Sequence, residues 1–186
     1  MSVVALALAV AVQTLGLTSG RAPLDCAYAP SKGGGFTTFR HCAWNDARGQ
    51  VHFTRQHLKR MAYDERGLAS VYVSGWRYVL RNGRSAAVMA FDNGADPFAS
   101  GLARSPNGKK VGYIDRSLRA VIPARFDGAY PFENGLAVVC NGCRIVSDGE
   151  HLAYVDGTWA CIDRRGRFVV APHAAKDYAP CSRSNN

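Results

Sequence analysis

At 186 residues the chain has room for one domain with a real core or for a short array of small repeated units, and none for two large domains. Its formal charge of +9 at pH 7 admits anionic polymers, lipid headgroups, acidic proteins and nucleic acid as partners. The arginines recur at turns (Arg48, then Arg81 and Arg84, then Arg116 and Arg119, then Arg164, Arg165 and Arg167), and no nucleic-acid motif accompanies them. That pattern argues against a nucleic-acid partner.

In chain order, residues 1–22 read as a secretory signal: VVALALAVAV at 3–12 is wholly apolar, too short to span a bilayer, and followed by small residues. The alternative is a buried N-terminal strand. The mature part is then a single domain of residues 23–186, periplasmic or secreted. Asp25 beside Cys26 is wrong for a lipoprotein acceptor, so no stable membrane anchor is expected. FTTFRHCAW, NDARG and QVHFT (36–54) read as a hairpin. TRQHLKRMAYD then forms a short helical turn capped by Thr54, with Leu58, Met61 and Ala62 inward.

From residue 63 onward the chain repeats. Gly-Leu-Ala occurs at 67–69, 101–103 and 135–137, a spacing of about 34 residues each time. Phe91-Asp92 and Phe126-Asp127 precede the later two, as do Pro97-Phe98 and Pro131-Phe132; Tyr63-Asp64 is a shortened counterpart. After each Gly-Leu-Ala come two β-type runs, the second being WRYVLRNGR (76–84), VGYIDRSLR (111–119) or WACIDRRGR (159–167). Repeat signatures therefore lie near 63–84, 91–119 and 126–167. Asn or Asp with a following Gly supplies the reversal in RNGR and DRRGR; DRSLR lacks the glycine and is expected to turn less tightly. The return strands are SAAVMAFD, AVIPARFD and FVVAPHAA, and their prolines belong at an edge or a strand end.

VGYIDRSLRAVIPARFDGAYPFENGLA, residues 111–137, resembles the unit of the bacterial WG-repeat (KWG) proteins, W-G-[YF]-I-D-x-x-G-[KR]-x-V-I-P followed by FD-x-A-x-x-F-x-x-G-L-A. Partial copies lie at 76–103 and 159–172. Val111 occupies the tryptophan position of the best copy, and Arg77 and Ala160 the glycine position of the other two. The resemblance implies an all-β array of antiparallel hairpins built from repeats of about 34 residues, with minor helix and no common catalytic residues. Each hairpin is too small to bury its own apolar face, so neighbours must stack. The Phe of FD, the Phe of PF and the Leu of GLA then pack between repeats.

Cys26, Cys42, Cys140, Cys143, Cys161 and Cys181 form an even set outside the leader, as an oxidising compartment favours. In CNGC (140–143) the Asn-Gly is a two-residue hairpin turn that would place Cys140 and Cys143 opposite each other as the first strand pair. The two could close a disulfide, pair elsewhere or hold a metal. No helix N-terminus follows to activate a thiol, and zinc would want a second close pair. Structural disulfides Cys26–Cys42, Cys140–Cys143 and Cys161–Cys181 are therefore expected, each closing a local loop, with no cofactor and no metal. His41, His52, His57, His151 and His173 have no ligand spacing, and Asp115 and Asp163 read as turn caps. Trp44, Trp76 and Trp159 read as core or as an aromatic binding stripe; Arg84, Arg119 and Arg167 are the candidate charged contacts at hairpin tips. The resulting expectation is a non-enzymatic WG-repeat protein of the bacterial envelope, binding or scaffolding a protein or an anionic polymer. A thiol-redox or zinc protein centred on CNGC is the alternative.

Overall fold

The computed structural model describes residues 22–147, 152–175 and 181; the leader reading at 1–22, Ala22 apart, and His151 lie outside these. A first sheet contains β1 (Pro23–Tyr28), β2 (Thr37–Asn45), β3 (Val51–Phe53), β4 (Leu68–Tyr72), β5 (Trp76–Leu80) and β6 (Ser85–Ala87), in the order β3-β2-β1-β4-β5-β6. It is two three-stranded meanders joined by pairing of β1 with β4. The hairpin expected at 36–54 is β2–β3. A small hairpin, β7 (Ala90–Phe91) with β8 (Gly94–Ala95), leads to a third meander, β9 (Ala103–Asn107), β10 (Lys110–Ile114) and β11 (Ala120–Phe126). The fourth comprises β12 (Gly128–Ala129), β13 (Leu136–Asn141), β16 (Thr158–Asp163) and β17 (Phe168–Ala174) in the order β12-β13-β16-β17, with the hairpin β14 (Arg144–Ser147) and β15 (Leu152–Val155) inserted between β13 and β16. The all-β antiparallel architecture is the one the repeat requires.

The helix is α1 (Arg55–Arg60), and the Thr54 hydroxyl accepts from the His57 N–H. Met61 points inward as expected and Leu58 is partly buried, but Ala62 is exposed. Its expected place belongs to His57, whose ring meets the Tyr28 hydroxyl at 2.7 Å.

One turn recurs throughout. At Asp46–Gln50, Asp64–Leu68, Leu80–Arg84, Asp115–Arg119 and Asp163–Arg167 the first N–H donates to the fifth carbonyl, and the fourth N–H to the first carbonyl. The fourth residue has positive φ: Gly49, Gly67, Gly83, Leu118 and Gly166. This is the three-residue hairpin loop with a left-handed bulge residue. Contrary to the expectation for DRSLR, Leu118 adopts φ 59° and keeps both hydrogen bonds. Its side chain is buried among Leu68, Val88, Ala103 and Ile114, and that burial offsets the conformational cost of about 1 kcal/mol.

Apolar residues gather at the junctions between meanders. Cys26, Tyr28, Val51, Phe53, Val71 and Val79 fill the first pair. Leu68, Ile114 and Leu118, with Trp76, Tyr78 and Phe98 against them, fill the second junction. Tyr113, Ile122, Phe126, Phe132, Val139 and Ile162 fill the third. Leu68, Leu102, Leu136, Phe126 and Phe132 pack between repeats as expected, but Phe91 is 49% exposed. The reason is an extra residue: FDNGADPF has one more between its two phenylalanines than FDGAYPF. Asp92 and Asn93, at φ 41° and 60°, form a separate tight turn that swings Phe91 outward.

The repeat glycine has a specific task at Gly112. β10 pairs with β11 through a register shift opposite Pro123, and a Cβ on Gly112 would stand 2.6 Å from the Ala124 nitrogen and 2.7 Å from the Pro123 carbonyl carbon. Ala160 sits at a similar shift between β16 and β17, opposite the stretch holding Pro172, whereas Arg77 pairs regularly with Ala87 and no proline follows. Both prolines lie on edge strands, as they must. Gly112→Ala is expected to cost about 1–3 kcal/mol, because backbone on the far side cannot yield; urea unfolding monitored by circular dichroism measures it.

Candidate functional site

Hydrogen bonds tie several of the recurring turns to their neighbours. Ser85 Oγ donates to the Val51 carbonyl at 3.3 Å, Arg84 Nη2 to the Leu118 carbonyl at 3.3 Å, and Arg125 Nη2 to the Gly166 carbonyl at 2.6 Å. Arg84, Arg119 and Arg167 at these turns are all exposed. Arg167 is ion-paired with Asp163 at 2.7 Å.

The turn aspartates are held ionised. The His52 ring and the Gln50 N–H keep the Asp46 carboxyl below the usual carboxylate range, as the N–H of Arg167 and then its guanidinium do for Asp163. At Asp64 and Asp115 burial pushes upward, but hydrogen bonds from Leu68 and Arg116, or from Ser117 and Arg119, outweigh it. Asp115 and Asp163 thus cap turns, and their carboxylates are occupied by backbone N–H groups.

The three tryptophans do not share a surface. Trp44 stacks on His52 with ring centroids 5.6 Å apart. Trp76 meets the exposed Phe36 and Tyr72 edge-on, at 5.3 and 5.5 Å. Trp159 is 2% exposed and donates Nε1–H to the Asp156 carbonyl at 2.8 Å. Of the two readings, Trp159 takes the core one, on an interior strand of its sheet.

CNGC is not a hairpin. β13 pairs with β16, so Cys140 lies opposite Trp159 and Asn141 opposite Thr158, while Arg144 begins a different hairpin. Instead of the expected two-residue reversal, Asn-Gly is the exit from β13. Asp127 Oδ2 accepts from the Gly142 N–H at 2.8 Å and Lys110 Nζ reaches Oδ1 at 2.7 Å. Lys110 and then Gly142 hold that carboxyl low. Cys140 and Cys143 are nonetheless joined, as are Cys26 with Cys42 and Cys161 with Cys181, at Cα separations of 5.9, 6.1 and 5.8 Å. These are the pairs that local loop closure predicts, and they are compatible with an oxidising compartment. The Cys140–Cys143 bridge staples the base of β14–β15. With Tyr130, Tyr154, Trp159 and Cys181 it closes the outward face of the last meander, the capping that a stack needs at its end.

Two features escaped the sequence reading. Asp96 (1% exposed) accepts from Arg104 through the backbone N–H at 2.7 Å and Nε at 3.0 Å, with Nη2 also on Oδ1. Arg104 Nη1 donates onward to the Ala129 carbonyl, and the Tyr78 hydroxyl to the Asp96 carbonyl. The pair therefore ties three meanders together. In the following copy Tyr113 donates to the carbonyl of Tyr130, the residue aligned with Asp96. The available signal was that two aligned positions, Tyr130 and Val138 in one copy, are Asp96 and Arg104 in the other. The second feature is a basic groove of about 490 Å³ where Lys32, Lys59 and Arg60 converge beside Gln56; Lys32 lies 27 residues before Lys59 and shares no motif with the pair.

Among the described residues no group of three or more His, Cys, Asp or Glu side chains could hold a metal ion, and no helix is long and apolar enough to cross a membrane. No curated protein and no solved structure matches the chain. Residues 112–142 match the family described as WG containing repeat, the span running from the tight Gly112 strand crossing through the Pro-Phe and Gly-Leu-Ala turns to CNGC. Over this span the chain carries a WG-containing repeat.

Proposed function

We propose that the protein is an exported, non-enzymatic binding or scaffolding module of the bacterial cell envelope, offering a basic surface to a protein or an anionic polymer. The observation that carries the reading is the recurrence of an exposed arginine, Arg84, Arg119 and Arg167, at a turn in each of three successive meanders. Exposed arginines on a chain of net charge +9 attract a polyanion at long range and lose that attraction as salt screens them. The three cysteine pairs support export, and the Lys32, Lys59 and Arg60 groove adds to the same charge.

The test is retention on immobilised polyphosphate over a salt gradient. Converting Arg84, Arg119 and Arg167 together to glutamine should weaken binding on the order of tenfold, from three exposed charge contacts of about 0.5 kcal/mol each. Retention that ignores both salt and these substitutions overturns the proposal.

A further inference from the structure

We infer that the seam between β3 and the β5–β6 turn is a binding site for an acidic saccharide; this rests on the binding-module reading above and names its ligand class. The two outer strands of the first sheet approach each other there, linked by the Ser85 Oγ to Val51 hydrogen bond. They leave a groove of about 370 Å³ lined by Trp44, Gln50, His52, Asn82, Arg84 and Ser85, within the range of about 300–1,000 Å³ that small ligands occupy.

Its chemistry is that of a sugar subsite. Trp44 and His52 are cross-strand partners whose rings lie 18° from parallel, and Asp46 Oδ2 fixes the His52 ring at 2.9 Å. Stacked on each other, they form one aromatic wall of the groove with polar edges, an apolar contact for the C–H groups of a pyranose. The Gln50 amide and the Asn82 amide N–H groups offer hydrogen bonds to sugar hydroxyls. Arg84 supplies a planar, permanently charged fork for a carboxylate, and among the described residues no carboxylate stands within ion-pair distance of it.

A second cation stands behind this surface. Arg77 Nη2 lies 3.5 Å from Ser85 Oγ, and its buried Nε has no hydrogen-bond partner. Arg77 occupies the position that Gly112 and Ala160 fill in the other copies. A large cation has replaced the smallest residues of the repeat beside this groove, and its positive charge favours an anionic ligand there.

Isothermal titration of the disulfide-intact protein with hexagalacturonate, and with a neutral galactan hexamer, tests the assignment. The acidic hexamer should bind at least tenfold tighter than the neutral one. Trp44→Ala and Arg84→Gln should each weaken binding about tenfold, and Trp44→Phe should retain most of it, with circular dichroism confirming the fold. Part of the affinity should survive about 0.5 M NaCl, because ring stacking is not screened. Binding that vanishes at that salt, ignores Trp44→Ala and Trp44→Phe, and falls with Arg119→Gln or Arg167→Gln overturns the seam site and leaves the basic-module reading standing. So does the absence of hexamer binding when polyphosphate is still retained. Loss of polyphosphate retention as well would overturn both.

Discussion

Asp96→Ala should lower folding stability by about 3–5 kcal/mol, because it leaves the Arg104 guanidinium buried without its counter-charge. Both side chains are shut away from water, and Arg104 also holds the Ala129 carbonyl on the strand leading into the last meander. The loss should therefore loosen two junctions together and be seen as a lower urea midpoint with the transition still cooperative. The repeat itself supplies the control. Asp96→Tyr combined with Arg104→Val installs the residues that the next copy carries at 130 and 138. A well-packed apolar replacement of a buried ion pair is often neutral or better, so the double variant should recover most of what the single one loses. If Asp96→Ala costs less than about 1 kcal/mol, the pair is solvated and the description of this junction fails.

Removing the disulfides one at a time should give unequal losses ordered by loop length. Cys26–Cys42 and Cys161–Cys181 span 16 and 20 residues, and loop-closure entropy assigns each about 3 kcal/mol. Cys140–Cys143 spans 3 residues, and the same relation gives about 1.5 kcal/mol. Paired Cys→Ala variants, compared by thermal unfolding, should follow that order while keeping polyphosphate retention. A Cys140→Ala, Cys143→Ala variant that folds normally yet loses retention would move CNGC from staple to working site. That bridge has a second, packing role, since a Cβ on Gly128 would meet Cys140 Sγ and the Tyr154 ring at 2.6 Å. Its removal should accordingly loosen the cap formed by β14–β15 more than it shifts the global midpoint.

The recurring turn was legible because its chemistry is complete within five residues. An Asp or Asn carboxylate or amide oxygen takes nearby N–H groups, and a glycine accepts the left-handed backbone. Leu118 shows the limit of that logic: burial between two meanders held it in a conformation that local propensity disfavours. CNGC misled for the opposite reason. Asn-Gly has strong local turn preference, but Asn141 was already committed to pairing with Thr158, beyond the inserted hairpin. The seam was half visible, since Trp44 and Arg84 were candidates without any sign that β3 and β6 would meet.

Residue order alone settles whatever hydrogen bonds and covalent loops can close nearby: the five-residue turns, the Thr54 cap, the repeat and the pairing of its cysteines. What only the tertiary structure decided is which faces meet. It buried Trp159, turned Phe91 outward, brought Asp96 to Arg104 across a junction and set Trp44 across a groove from Arg84. Those outcomes depend on the order in which meanders stack. A single hairpin cannot bury its apolar face alone, so its own residues do not specify what will cover it.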